Sequence, residues 1–162
     1  MRYSPIPDFP LVTKLFRGML GRTVTVKDSV RPQAISTANK ETFTALYLAD
    51  KYVVTVAVCD FKLAAASGAA LALIPAPRAE EWVRDRKIPD DAIANTREIF
   101  NVMAATFNES NPSTYAKLGF FLPPGQAVPG AANGFFASNV RRMDYSVAVE
   151  GYGEGVFTVL VV

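Results

Sequence analysis

The sequence predicts an α+β fold, a mainly antiparallel sheet with two or three long helices packed on it, and three observations carry that expectation. Helical and strand-like periodicities alternate along the chain in segregated runs: helix, strands, helices, strands. Two β-rich stretches are joined by turns too short for a crossover, so their strands must be antiparallel. Half of the 162 residues are apolar and a fifth are charged, the balance of a globular chain with a sizeable core.

Taken in order, Asp8 stands where an N-cap belongs, Pro10 falls in the first turn, and Gly21 follows the last turn of a helix over 11–20. Leu11, Leu15, Phe16, Met19 and Leu20 recur along one side of it. Residues 1–8 read as a flexible N-terminal segment, and 1–162 as one domain without linker or internal repeat. Thr23–Val26 alternates as a strand, and Ala34–Thr37 reads as another. Thr42–Ala49 and Tyr52–Val58, rich in β-branched and aromatic residues and separated by Asp50-Lys51, predict a hairpin.

Asp60 then caps a second helix over Phe61–Ile74, whose Ala/Leu content with Lys62 as its one charge implies burial on most sides. A short helix over Ala79–Arg86 ends before Pro89. Asp90 and Asp91 open a third long helix running to about Asn108. Beyond the turn residues Asn108–Ser113, strands are expected at Lys117–Leu122, Gly134–Ser138, Arg142–Glu150 and Val156–Val162, with Gly151–Gly155 as a hairpin turn. The last, wholly apolar strand is either internal to the sheet or an edge on which a second copy pairs as a homodimer.

Composition closes most routes to chemistry. The chain has no histidine and one cysteine, so neither a zinc site nor an internal disulfide is available, and Cys59 reads as a buried structural thiol of a cytoplasmic protein. Net charge is +2 without a Lys/Arg run, which gives no footprint for nucleic acid. No segment has the length and apolarity of a membrane span or the apolar core of a signal peptide. Serines lack a base to activate them. Asp90-Asp91 fits a helix start better than a carboxylate pair. Trp82 reads as a packing anchor, and Gly151-x-Gly-x-Gly, set between two strands, as a turn rather than a nucleotide loop.

What remains lies on the third long helix. Ile93, Thr96, Ile99, Phe100, Met103, Ala104 and Phe107 occupy one broad side at about 100° per residue. Ala94, Glu98, Asn101, Ala105 and Asn108 form a narrow stripe on the other. Glu98 and Asn101 therefore point the same way, roughly 5–6 Å apart at Cβ. The small residues above and below them would let another surface come close.

Glu98-x-x-Asn101, followed after 22 residues by Pro124, resembles the signature of the CheC/CheX/FliY chemotaxis phosphatases, Asp/Ser-x-x-x-Glu-x-x-Asn-x22-Pro. A proline at one fixed position is expected by chance about 5% of the time. The order of elements agrees along most of the chain, and a single Glu/Asn helix is similar to the single-site CheX branch. The resemblance implies hydrolysis of the phospho-aspartate of a CheY-type response regulator, with Asn101 orienting the attacking water and Glu98 docking to a cationic side chain of the regulator. It implies no cofactor of this chain's own, since Mg²⁺ belongs to the partner. Ala94 departs from the pattern: it stands where the family carries Asp or Ser, and a non-catalytic binding or assembly role in chemotaxis or two-component signalling is the alternative it raises.

Overall fold

A computed structural model describes residues 6–162. Its centre is one six-stranded sheet in which every neighbouring pair is antiparallel, in the order β1-β5-β6-β3-β2-β4. The strands are β1 Val24–Asp28, β2 Phe43–Ala49, β3 Tyr52–Cys59, β4 Lys117–Leu122, β5 Arg141–Val149 and β6 Gly153–Val161. Four α-helices accompany them: α1 Phe9–Leu20, α2 Phe61–Leu71, α3 Ala76–Arg84 and α4 Asp90–Ser110.

The alternation of side chains along each strand sorts residues to two covered faces. Phe43, Ala45, Tyr47, Ala57, Cys59, Tyr145, Val147, Phe157, Val159 and Val161 pack under the helices, as one core with Val12, Phe16, Leu63, Ile99, Phe100 and Met103. Leu46, Val56, Val58 and Leu160 point the other way, into a second core closed by Val128, Ala132, Phe135 and Ile35. Because both faces are covered, the central strands are continuously apolar rather than alternating. Val156–Val162 supplies the inner strand β6, between β5 and β3. The edges of the sheet are β1 and β4.

Two expected strands are absent, and both absences have the second core as their reason. Gly134–Ser138 is not a strand; its first three residues end a 3₁₀ helix, Gly130–Phe136, entered from Pro129, and Ala137 and Ser138 follow in a turn. Ala34–Thr37 is irregular, and its Ile35 packs on the same face. A short apolar run looks alike in a strand and in a coil that covers a sheet. This second layer is tied down by polar contacts. Asp144 accepts two bonds from the Arg142 guanidinium (2.8 and 2.9 Å), one from the Thr158 hydroxyl (2.6 Å) and one from the Gln33 N–H (3.0 Å).

Helix ends follow local chemistry. Asp8 and Asp60 cap α1 and α2 through the N–H groups of Leu11 and Leu63. Helix α2 stops at Leu71, three residues before the expected end at Ile74. The Leu73 N–H bonds the Ala70 carbonyl and the Ile74 N–H bonds Ala69, a Schellman closure with Leu73 at φ +57°. Helix α3 begins at Ala76 and closes the same way, with Arg86 at φ +53°. At the other end of the chain, residues 1–5 of the expected flexible segment 1–8 lie outside the described residues. Pro7 is buried, and its carbonyl accepts a bond from the Tyr145 hydroxyl.

Candidate functional site

Helix α4 presents the Glu98–Asn101 pair, and its surroundings fix which way that pair faces. Ala92, Thr96, Ile99, Phe100, Met103, Thr106 and Phe107 are buried. Polar contacts set the rotation of the helix, among them the Asn95 amide donating to the Gly68 carbonyl of α2 at 3.2 Å. The Thr96 hydroxyl donates to the Ala64 carbonyl of α2 at 2.8 Å. The buried Tyr47 hydroxyl of β2 donates to the Phe100 carbonyl at 2.6 Å. At the far end, Asn108 brackets the Ala116 backbone, accepting its N–H at 2.7 Å and donating to its carbonyl at 3.0 Å. Close approach to α2 depends on Gly68, where a Cβ would lie 2.5 Å from the Ala92 carbonyl oxygen.

Ala94, Glu98, Asn101 and Ala105 are exposed, as the helical spacing predicts. Neither Glu98 nor Asn101 makes a side-chain hydrogen bond or ion pair with another described residue. Asn108 does not join them as a free group: its amide is spent on Ala116. The stripe therefore ends at Ala105, one turn short of its expected length.

Beside the pair is a shallow depression of about 210 Å³ between α4 and β4, lined by Ala94, Arg97, Glu98, Asn101 and Leu118. Arg97, exposed and without an ion-pair partner among the described residues, is the residue that the sequence reading passed over. Its signal was present in the spacing: at about 100° per residue, Arg97 lies some 40° from Asn101 around the helix.

Pro124 is not among the residues lining the depression. It occupies the second position of the turn Pro123–Gln126, with Gly125 at φ +94° and the Gln126 N–H bonded to the Pro123 carbonyl at 3.1 Å. That is a type II turn, which favours Pro and then Gly at its centre. The turn is held by a group that sequence reasoning also missed. Buried Asn39, at φ +49°, places its Nδ2 within 3.0–3.2 Å of the Leu122, Pro123 and Gln126 carbonyls, while its Oδ1 accepts the Thr42 and Thr44 hydroxyls. Pro124 thus shapes the exit of β4 rather than supplying a group to the pair.

Other candidates resolve as structural. Asp90 and Asp91 are exposed in the first turn of α4, and Trp82 is buried in α3. Cys59 is buried, and desolvation, with Asp60 beside it, pushes its thiol well above the usual range. Among the described residues no three His, Cys, Asp or Glu side chains gather as a metal site, and no helix is long and apolar enough to cross a membrane.

Neither a known family's sequence profile nor any curated protein matches the chain. Solved structures do. The FliM of a FliG–FliM complex from H. pylori aligns with a TM-score of 0.66 at 10% identity, over 94% of this chain and 85% of that one. FliY from Thermotoga maritima gives 0.62 at 14% identity, over 96% and 84%. The CheX–CheY–BeF3–Mg²⁺ complex from Borrelia burgdorferi gives 0.56 at 10% identity, over 96% and 98%. The chain has the α+β fold that CheX and FliY share with the FliM middle domain.

Proposed function

We propose that this protein docks on a CheY-type response regulator through the exposed face of α4 and hydrolyses the regulator's aspartyl phosphate. The observation that carries this reading is the pair Glu98 and Asn101, one helical turn apart, exposed, and without side-chain partners among the described residues, on a helix whose opposite side is anchored in the core. A carboxylate and an amide kept solvated on a rigid helix, flanked by Ala94 and Ala105, suit insertion into a neighbour's pocket.

The chemistry asks little of such a site. An amide accepts from a water and donates to a phosphoryl oxygen at once without changing protonation. Asn101 would so align water in line with the acyl phosphate. The new O–P bond forms as the P–O bond to the aspartate breaks, the carboxylate leaves with the electron pair, and the water's proton ends on the departing phosphate. Phosphoryl transfer needs mainly positioning and charge stabilisation from the protein. Glu98 would pair with a cation beside the regulator's aspartate and fix the docking pose.

The test is the lifetime of a phosphorylated CheY-type regulator with and without this protein. Acceleration by the wild type, reduced roughly 10²-fold in Asn101→Ala, is the expected result. An Asn101→Ala variant as fast as wild type overturns the assignment. A second reading, docking without catalysis, is favoured by Ala94 at the position where the resembled signature carries Asp or Ser. Capture of the beryllofluoride-loaded regulator with no change in phosphate lifetime would select it.

A further inference from the structure

We infer that Arg97 is a phosphoryl-binding residue of this site, its guanidinium taking the anionic oxygens of the partner's phosphate where Ala94 offers no polar group. The inference rests on the docking proposed for α4 and extends it to a residue outside the Glu-x-x-Asn pair.

Three observations converge. Arg97 lines the same depression as Ala94, Glu98 and Asn101, and among the described residues it is the one cation that does so. It is exposed and has no ion-pair or hydrogen-bond partner among the described residues, whereas both arginines of α3, Arg78 and Arg84, sit within 4 Å of a carboxylate. Glu98, its neighbour in sequence, makes no ion pair with it, although Arg84 and Asp85 show that consecutive residues can pair.

Side-chain direction supplies the rest. Helical side chains lean toward the helix N-terminus and cover the turn before their own Cα. Arg97 and Glu98 therefore both incline over the turn that contains Ala94, from either side of it, with Asn101 one turn behind. A methyl at position 94 leaves the space between them open. A phosphoryl group lowered into that space would meet a fork of N–H donors on one side and the Asn101 amide below. Arginine matches phosphate geometry with two parallel bonds and does not lose its charge. Charge on the equatorial oxygens in phosphoryl transfer is what such a donor stabilises. Glu98, on the opposite flank, is then left to meet a cation of the partner.

The experiment is a binding titration of one fluorescently labelled CheY-type regulator in two forms, unloaded and loaded with beryllofluoride and Mg²⁺. Arg97→Gln is expected to weaken binding of the loaded form by about tenfold or more, as loss of a charged hydrogen bond implies. Affinity for the unloaded form should stay within roughly twofold, since that form lacks the beryllofluoride fluorines that stand in for the phosphoryl oxygens. Arg97→Lys should fall between wild type and Arg97→Gln on the loaded form alone, because lysine keeps the charge but not the fork. Unchanged melting curves check that both variants fold. Equal losses on the two forms would make Arg97 a general docking charge and overturn the inference, as would no loss on either. If the wild type binds neither form, the docking reading itself falls, a result distinct from normal wild-type binding with an indifferent Arg97.

Discussion

Two glycines in helices, given the same substitution, should move stability in opposite directions. Gly18 in α1 is exposed, and a Cβ built there meets nothing within 4 Å. At Gly68 in α2 a Cβ would lie 2.5 Å from the Ala92 carbonyl oxygen and 2.8 Å from the Thr96 hydroxyl. Helix propensity alone favours alanine over glycine by about 0.5–1 kcal/mol at either place. At Gly18 nothing opposes that gain. At Gly68 the obstructing atom is backbone of a helix held by its own hydrogen bonds, so α4 must move away by roughly 1 Å to restore ordinary contact. Overpacking of that kind costs about 1–3 kcal/mol and outweighs the propensity.

Gly18→Ala should therefore raise the melting temperature, and Gly68→Ala should lower it, by about 2–4 °C for each kcal/mol in a chain of this size. Differential scanning calorimetry of the two variants beside wild type decides the matter. A Gly68→Ala protein that melts above wild type would refute the claim that α2 and α4 are in closest contact there. Since the Glu98–Asn101 face travels with α4, the same variant should also lose the phosphatase activity proposed for that face. A misplacement of about 1 Å can cost on the order of 10²-fold in rate.

Three further expectations follow from single residues. Asn39→Ala should destabilise by at least about 3 kcal/mol in urea titration, because it strands three carbonyls and two hydroxyls and puts alanine at positive φ. Leu73→Gly should stabilise by roughly 0.5–1 kcal/mol, since Leu73 is 75% exposed and held in the left-handed region. For Asp144, desolvation raises the carboxyl pKa, but the bonds from Arg142, Thr158 and the Gln33 N–H together hold it below the usual value. Its stabilising contribution is then complete above an unfolded-state pKa of about 3.9 and lost as pH falls through the lower folded value. Asp144→Asn should accordingly lower the urea midpoint at neutral pH, with the gap to wild type closing below about pH 4.

Legibility of the fold divided along one physical line. Elements whose signal is local were readable: the Asp8 and Asp60 caps, the helical spacing of α4, and the Asp50-Lys51 reversal between β2 and β3. What failed depended on the far side of the sheet. Phe135 and Ile35 are apolar because they cover Leu46, Val56 and Leu160, and nothing in either short run distinguishes a covering coil from a strand. The premature end of α2 was hidden because a leucine, not a glycine, takes the left-handed position. At the site, periodicity gave the face of Glu98 and Asn101 correctly. It could not disclose that Asn108 is spent on Ala116, which depends on how the turn after α4 folds back, nor that Asn39 lies buried beneath the Pro124 turn, which joins residues far apart in the chain.

The anchors of α4 explain how one scaffold can serve either catalysis or plain docking. Thr96 and Tyr47 bind it through backbone carbonyls of Ala64 and Phe100, and Asn108 through the Ala116 backbone. None of these contacts involves Ala94, Arg97, Glu98, Asn101 or Ala105, so side chains on the open stripe can change with little cost to the fold. The rotation of the helix, by contrast, cannot change without breaking a buried bond. A slip of one residue would turn the stripe by about 100° and carry Glu98 and Asn101 together away from the depression beside β4. Orientation is thus supplied by the core, and the chemistry proposed for α4 rests on a few solvated atoms, so changes at residue 94 or Arg97 would bear on that proposed activity while leaving the architecture untouched.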